Sequence, residues 1–248
     1  MARIRDRQED EFRRRMRLPE SNPGHISREA FTAFLSGEVF LADGSPLGGR
    51  VGTSRLIEAM IRAGGHKVTD GGKGMDARRY KYLWPEVVIQ PSEYAGRFNI
   101  LVAVDLTIAI PALVVCGNTH LWVQPEACED IVTAPADATG KPLTRYIAFC
   151  QLGGTHLGHP VEQCRREFTE RSDEVGLVSR EGLHLPIQYE AHLRHYAVDL
   201  AGSRYDEGDA PCVGWFGVAG PGFSWDGVRD SNSGCGSASR GSQVVAVS

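Results

Sequence analysis

The fold is decided by a short apolar stretch that ends in an acid, FNILVAVD at residues 98–105. An unbroken run of this kind, rich in β-branched residues, is typical of a buried strand. Further runs, separated by Pro or Gly, occur at residues 87–89, 112–116, 145–150, 196–200 and 212–218. They predict a mixed, mostly antiparallel sheet. Proline or serine starts predict short helices between the strands, at residues 125–132, 160–168 and 179–192.

Upstream of these strands the pattern is helical. Residues 3–17 hold seven arginines among four acids, which predicts a solvated helix, and residues 27–35 and 53–63 predict two amphipathic helices. We therefore predict an α+β fold in which a helical N-terminal third packs beside the sheet. Residues 1–22 form a charged helix and linker. Residues 23–248 form one α+β domain, which is helical over 23–84 and rich in strands over 85–248.

Composition excludes several classes of protein. The 248 residues carry a net charge of -4 and are 42% hydrophobic, which supports a packed core and argues against nucleic acid as the partner. The chain has no apolar stretch of the roughly 18 residues that a membrane span needs. Its charged N-terminus lacks the apolar segment of a secretory signal, and its six cysteines include no C-x-x-C pair. We expect a cytoplasmic protein with reduced thiols, and oligomer formation stays open.

Several motifs in the second half of the chain share their order and spacing with one family. They are a strand beginning at Tyr146, LVSREG at residues 177–182, GSR at 202–204, Gly214-Trp215, and GSAS at 236–239. Over about residues 98–241 the chain resembles uncharacterised proteins of high-GC Gram-positive bacteria, catalogued as a domain of unknown function. The resemblance implies a fold and a soluble bacterial origin, and it implies no chemistry. The chain departs from the family pattern at Cys150, where the family strand ends in an acid.

The residues richest in chemistry are His156 and His159, with Cys164 five positions further on. Imidazole and thiolate are ligands for zinc or iron, and Gly153 and Gly158 let the loop turn both rings towards one point. The pair could instead transfer protons without a metal, or both rings could bond carbonyls in a tight loop. We take these three residues as candidate catalytic groups and the two histidines as candidate metal ligands.

Four further residues are candidates for a site. Asp105 ends a strand, where a carboxylate acts as a base or ligand, or bonds its own turn. Arg204 could clamp an anion or pair with Asp206 or Glu207. Trp215 and Trp225 line a pocket or fill the core. The Gly- and Ser-rich tail at residues 231–241 predicts a mobile or tightly turning loop, with an anion-binding nest of backbone amides as the alternative.

Two classes of function follow. The first is a small-molecule enzyme or ligand-binding protein with a pocket at the ends of the C-terminal strands, whose cofactor is zinc or iron if it has one. The second is a non-enzymatic interaction protein that binds a protein or nucleic-acid partner through its Arg-rich N-terminal helix. We favour the first class, with a small molecule as partner, and leave catalysis itself undecided.

Overall fold

The computed structural model of the chain describes residues 50–94, 96–206, 208–229 and 232–247. The helices predicted at residues 3–17 and 27–35 lie outside these ranges, and so does the Arg-rich segment of the second functional class. The described helices are α1 (Ser54–Arg62), α2 (Gly65–Val68), α3 (Ala77–Leu83), α4 (Ile110–Cys116), α5 (Val161–Glu170), α6 (Ser179–Gly182), α7 (Leu185–Gln188) and α8 (Glu190–Leu193). The described strands are β1 (Arg50–Gly52), β2 (Val87–Ile89), β3 (Ile100–Asp105), β4 (His120–Leu121), β5 (Glu129–Asp130), β6 (Arg145–Gln151), β7 (Glu174–Gly176), β8 (Ala197–Asp199), β9 (Ser203–Arg204), β10 (Ala210–Trp215), β11 (Pro221–Asp226), β12 (Cys235–Ser237) and β13 (Ser239–Ala246).

Two sheets dominate this α+β fold, which confirms the predicted class. One has the order β3-β6-β13-β7, and each neighbouring pair is antiparallel. The other has the order β12-β8-β10-β11-β4 and is mixed, because β12 runs parallel to β8 and β4 runs parallel to β11. Two small antiparallel ribbons, β1 with β2 and β5 with β9, complete the strands.

The core is built around the stretch that decides the fold. Strand β3 is buried from Leu101 to Asp105, and its neighbour β6 is buried from Tyr146 to Gln151. Helix α1 adds Leu56, Ile57 and Met60 to the same core, which confirms its predicted apolar face. The long apolar run of β3 therefore reflects a strand covered on both faces.

The tail prediction is wrong, because the tail supplies strands to both sheets. Strand β12 belongs to the five-stranded sheet and β13 to the four-stranded sheet, and the buried Ala238 alone separates them. Small residues are required here, since a Cβ on Gly236 would lie 2.2 Å from the carbonyl oxygen of Gly153. The glycines thus permit two backbones to touch, rather than giving freedom to a loop.

The predicted strand at residues 112–116 is also wrong, because these residues form most of helix α4. Pro111 lies in the first turn, where its fixed φ and missing N–H are tolerated, and Gly117 follows the last turn. Leu113 is buried, while Val115 is 79% exposed. The β-branched run is therefore on a helix with one narrow buried face.

Two predicted helices are broken in the structure. Residues 125–132 contain a single 3-10 turn at Pro125–Ala127 and then β5. Residues 179–192 are divided among α6, α7 and α8, with Pro186 in the first turn of α7. The helix predicted at residues 160–168 is confirmed as α5, and Pro160 is its N-cap residue. No helix within the described ranges combines the length and the apolar character that crossing a bilayer demands.

Candidate metal centre

The two predicted histidines lie between β6 and α5. His156 is buried, with Nδ1 3.2 Å from Gln151 Nε2 and Nε2 3.5 Å from a carboxylate oxygen of Glu167. Burial lowers the pKa of His156, against the opposing charges of Glu174 and Glu167. His159 is exposed, and the centroids of the two rings lie 6.1 Å apart. The histidines are therefore neighbours in unlike surroundings, one packed inside and one facing water.

Asp105 is fully buried at the end of β3 and is held by its neighbours. Its Oδ2 accepts hydrogen bonds from Thr69 Oγ1 at 2.8 Å and from the Tyr80 hydroxyl at 3.1 Å, and it faces Arg145 Nε at 3.2 Å. Its Oδ1 accepts from the backbone N–H of Thr107 at 3.0 Å and from the Thr107 hydroxyl at 2.6 Å. This is the arrangement of a strand-terminal aspartate that bonds its own turn.

The three predicted ligand-binding residues contact different parts of the protein. Arg204 Nε and Nη2 donate to Glu129 Oε2 at 2.9 and 2.6 Å, so the arginine forms an ion pair with an acid on the neighbouring strand β5. Trp215 lies beneath the guanidinium of Arg194, 3.8 Å from the ring centroid. Trp225 is half exposed on β11. Their roles in ligand binding stay predictions.

One face of the five-stranded sheet gathers thiols and carboxylates from four adjacent strands. Cys212 on β10 pairs with Asp199 on β8. Asp226 on β11 pairs with the residue two positions before Cys212, and Cys235 on β12 lies two positions before the residue that pairs with Asp199. Side chains alternate between faces along a strand, and paired residues share a face. All four side chains therefore project from the same face.

Three of these side chains converge on one point. A carboxylate oxygen of Asp199, one of Asp226 and the sulfur of Cys235 all lie within 4.8 Å of one another. Asp199 is 2% exposed and Cys235 is 8% exposed, whereas Asp226 is half-buried and connects the group to solvent. Asp199 Oδ1 is buried and accepts no hydrogen bond from any residue that the structure describes. Because an unpartnered buried carboxylate oxygen costs free energy, a cation bound here would stabilise the fold.

The electrostatics of the group favour a bound cation. Burial, and then the charge of Asp226, raise the pKa of Asp199 to about 7. Burial and the two carboxylates raise the pKa of the Cys235 thiol to about 12. The thiol of Cys212 also has a pKa well above its ordinary value, because it is buried and lies near Asp199. A divalent ion would reverse these shifts, since it stabilises thiolate and carboxylate.

The positive charge of Arg165 on α5 lowers the pKa of Asp199, but the guanidinium donates its hydrogen bonds to other groups. Its Nε, Nη1 and Nη2 donate to the carbonyl oxygens of Ala201, Gly208 and Ser203 at 3.1, 3.0 and 2.6 Å. Its charge only partly offsets the effects of burial and Asp226 on Asp199. The cluster thus concentrates acidic groups, and no base within the described ranges forms an ion pair with Asp199.

Cys164 is the predicted site residue that lies beside this cluster. It is buried on α5 within a small apolar group that includes Phe168 and Ala210. Burial raises the pKa of its thiol, and the charges of Glu167 and Asp199 act in the same direction. Helix α5 therefore covers the cluster with an apolar surface, and Cys164 belongs to that cover.

Sequence reasoning missed the three converging residues because their spacing is long. Asp199, Asp226 and Cys235 come from three strands, and metal motifs are recognised from closely spaced ligands. One signal was present: Asp199 interrupts the apolar run of the strand predicted at residues 196–200. No group of three such ligands in the described ranges includes a histidine, so the metal role of His156 and His159 stays a prediction.

One thiolate and two carboxylates form a donor set that zinc accepts. The sulfur disfavours magnesium and calcium, which prefer oxygen ligands throughout. Three protein ligands also leave one tetrahedral position for water or a substrate atom, as in catalytic zinc sites.

Comparison of the chain with models of known protein families, with curated proteins and with solved structures finds no match. The resemblance to the uncharacterised bacterial family accordingly stays a prediction.

Proposed function

We propose that this protein binds one zinc ion through Asp199, Asp226 and Cys235. The observation that carries the proposal is the buried, unpartnered Oδ1 of Asp199, in a side chain that lies within 4.8 Å of a second carboxylate and a thiol. Zinc meets the requirements of this group, because it binds sulfur and oxygen together and accepts tetrahedral coordination by few ligands. Iron accepts the same donors, and metal analysis distinguishes the two.

The site supports the small-molecule class of function over the interaction class. Asp226 ends β11 and Asp199 ends β8, so the proposed zinc ion lies at the ends of C-terminal strands. Three protein ligands would leave one coordination position for water or substrate, and Asp226 is the least buried member of the group. Zinc lowers the pKa of a water bound in such a position, which suits a hydrolytic step on a small molecule. The interaction class depends on the Arg-rich segment at residues 3–17, which lies outside the described residues, and it stays an alternative.

The first test is metal content and coordination. Protein stripped with a chelator and reloaded should bind one zinc ion per chain, as measured by elemental analysis and calorimetric titration. Cobalt in place of zinc should give the intense near-ultraviolet charge-transfer absorption of a thiolate–cobalt bond. Chelator-treated protein that takes up no stoichiometric zinc would contradict the proposal.

The second test assigns the ligands. We expect Cys235→Ser to abolish the thiolate–cobalt absorption. Removing a residue that hydrogen-bonds to a metal ligand typically weakens metal binding by roughly 10- to 100-fold. We expect Asp226→Asn, which changes a ligand itself, to weaken zinc binding by more than this. The matched control is Cys116→Ser, a change of the same kind on α4, outside the converging group. Equal zinc affinity in all three variants would show that these residues are not the ligands.

A further inference from the structure

A cavity lies apart from the proposed zinc site, on helices that contribute none of its ligands. It has a volume of about 360 Å³ and opens between α1 on one side and α7 and α8 on the other. Three arginines line it, Arg55 and Arg62 from α1 and Arg194 just after α8, against the single acid Glu190. Arg55 and Arg62 stand seven residues apart, two turns along one helix face, so both reach the same cavity.

Arg55 is the unusual member of this set. It is half-buried, its Nη1 is buried, and that nitrogen has no hydrogen-bond partner in the part of the chain that the structure describes. Arg55 likewise forms no ion pair with a described acid. A buried guanidinium nitrogen without an acceptor is costly, and because Arg55 also lines the cavity, a small turn of its guanidinium would bring Nη1 to an anion bound there.

The other two arginines are placed to contact the same anion. Arg194 stacks on Trp215 at 3.8 Å and donates to Glu190 at 2.7 Å, so contacts on two sides hold its guanidinium in position. Arg62 is exposed in the last turn of α1 and forms no ion pair with a described residue. Because Glu190 already balances Arg194, the positive charges of Arg55 and Arg62 are the two left uncompensated by the described residues.

We propose that this cavity binds a small phosphomonoester through Arg55, Arg62 and Arg194. A phosphomonoester is close to a dianion at neutral pH and matches the two uncompensated charges, and the guanidinium group donates to phosphate through two parallel bonds. Ala59 and Ile187 give the cavity an apolar wall for the organic part of the ligand. A volume near the lower end of ligand pockets limits the occupant to a small molecule.

The test is calorimetric titration of the full chain with glycerol 3-phosphate, inorganic phosphate and glycerol. We expect saturable binding of glycerol 3-phosphate, weaker binding of inorganic phosphate, and none of glycerol. Equal affinity for the ester and for inorganic phosphate would overturn the assignment to an ester. Absence of saturable binding of either anion would overturn the site. The titration is repeated after chelator treatment, which should leave binding unchanged because the cavity shares no residue with the zinc ligands.

Variants connect the binding to the cavity. Arg55→Gln should weaken glycerol 3-phosphate binding by about 10-fold or more, since hydrogen bonds to a charged group contribute roughly 1.5–3 kcal/mol. Arg62→Gln changes an exposed residue, so it should fold normally and weaken binding in the same direction. The matched control is Arg78→Gln on α3, where the exposed guanidinium contacts Tyr82. Wild-type affinity in both cavity variants, or an equal loss in the control, would overturn the proposal.

Discussion

Arg240 and Glu181 form an ion pair closed to solvent, with Arg240 Nε 2.7 Å from Glu181 Oε1 and side-chain exposures of 2% and 0%. The same carboxylate oxygen accepts a hydrogen bond from the Tyr146 hydroxyl at 2.7 Å, and Oε2 accepts from the backbone N–H of Val178 at 2.9 Å. Burial alone would lower the pKa of Arg240, but neighbouring groups, among which Glu181 has the largest effect, together raise it. The charged pair therefore joins β13, β6 and α6 inside the core.

Removal of one partner of this pair should be severe. We expect Arg240→Met to lower the free energy of unfolding by about 3–5 kcal/mol, because it leaves the Glu181 charge buried and alone. The control is Arg204→Met, which breaks an exposed pair with Glu129 and should cost less than about 1 kcal/mol. Urea unfolding of the two variants measures the difference, and equal losses would contradict a structural role for burial of the pair.

The sequence predicted the fold wherever a segment's local pattern agrees with its burial. Strand β3 and helix α1 bury the residues that their periodicity selects, and both were predicted. The prediction of a loop in the tail was wrong because Gly236 and its neighbours form a strand only through contact with a distant part of the backbone, that of Gly153. The strand predicted at residues 112–116 was wrong because these β-branched residues lie on a mostly exposed helix. Burial therefore did not decide the structure of this segment.

The candidate site was less predictable for a related reason. The close spacing of His156 and His159 is visible in the sequence, yet the loop buries His156 and exposes His159 to water. The metal cluster depends on strand order, which places β8 between β12 and β10. Sheet order of this kind is a property of the whole chain, and no local spacing encodes the approach of Asp199 to Cys235.

Zinc should reverse the effect of Asp199→Asn on stability. In chelator the variant should be more stable than wild type by about 1–3 kcal/mol, because it removes an unpartnered buried carboxylate. At a zinc concentration 1,000-fold above Kd the wild type should gain roughly 4.1 kcal/mol, which exceeds that difference, and the variant should gain much less. Chemical unfolding with and without zinc measures both differences. The same ranking of the two proteins in both conditions would argue against Asp199 as a ligand.

The pH dependence of stability should depend on His156. Its folded-state pKa lies below the ordinary value of 6.5 because the ring is buried, so the unfolded chain takes up a proton first as the pH falls. The stability associated with a neutral buried His156 is thus complete above about pH 6.5 and decreases as the pH falls below it. We expect His156→Asn to flatten the fall in unfolding free energy between neutral and mildly acidic pH. His195→Asn, a change at an exposed histidine whose charge is not among those acting on His156, should keep the wild-type profile, and identical profiles for all three proteins would contradict the prediction.

The contact between Gly153 and Gly236 should affect both the stability of the fold and the zinc affinity of the cluster. In Gly236→Ala the new methyl carbon would lie 2.2 Å from the Gly153 carbonyl oxygen, and since backbone cannot rotate away, the strand must shift. We expect a loss of about 1–3 kcal/mol or more in unfolding free energy, as for overpacked interiors. Zinc affinity should fall with it, because Gly236 follows Cys235 directly. The matched control is Gly154→Ala, next to the same contact, where an added Cβ meets nothing within 4 Å. If Gly236→Ala unfolds at the same urea concentration as Gly154→Ala and binds zinc equally well, the two backbones do not make this contact in solution.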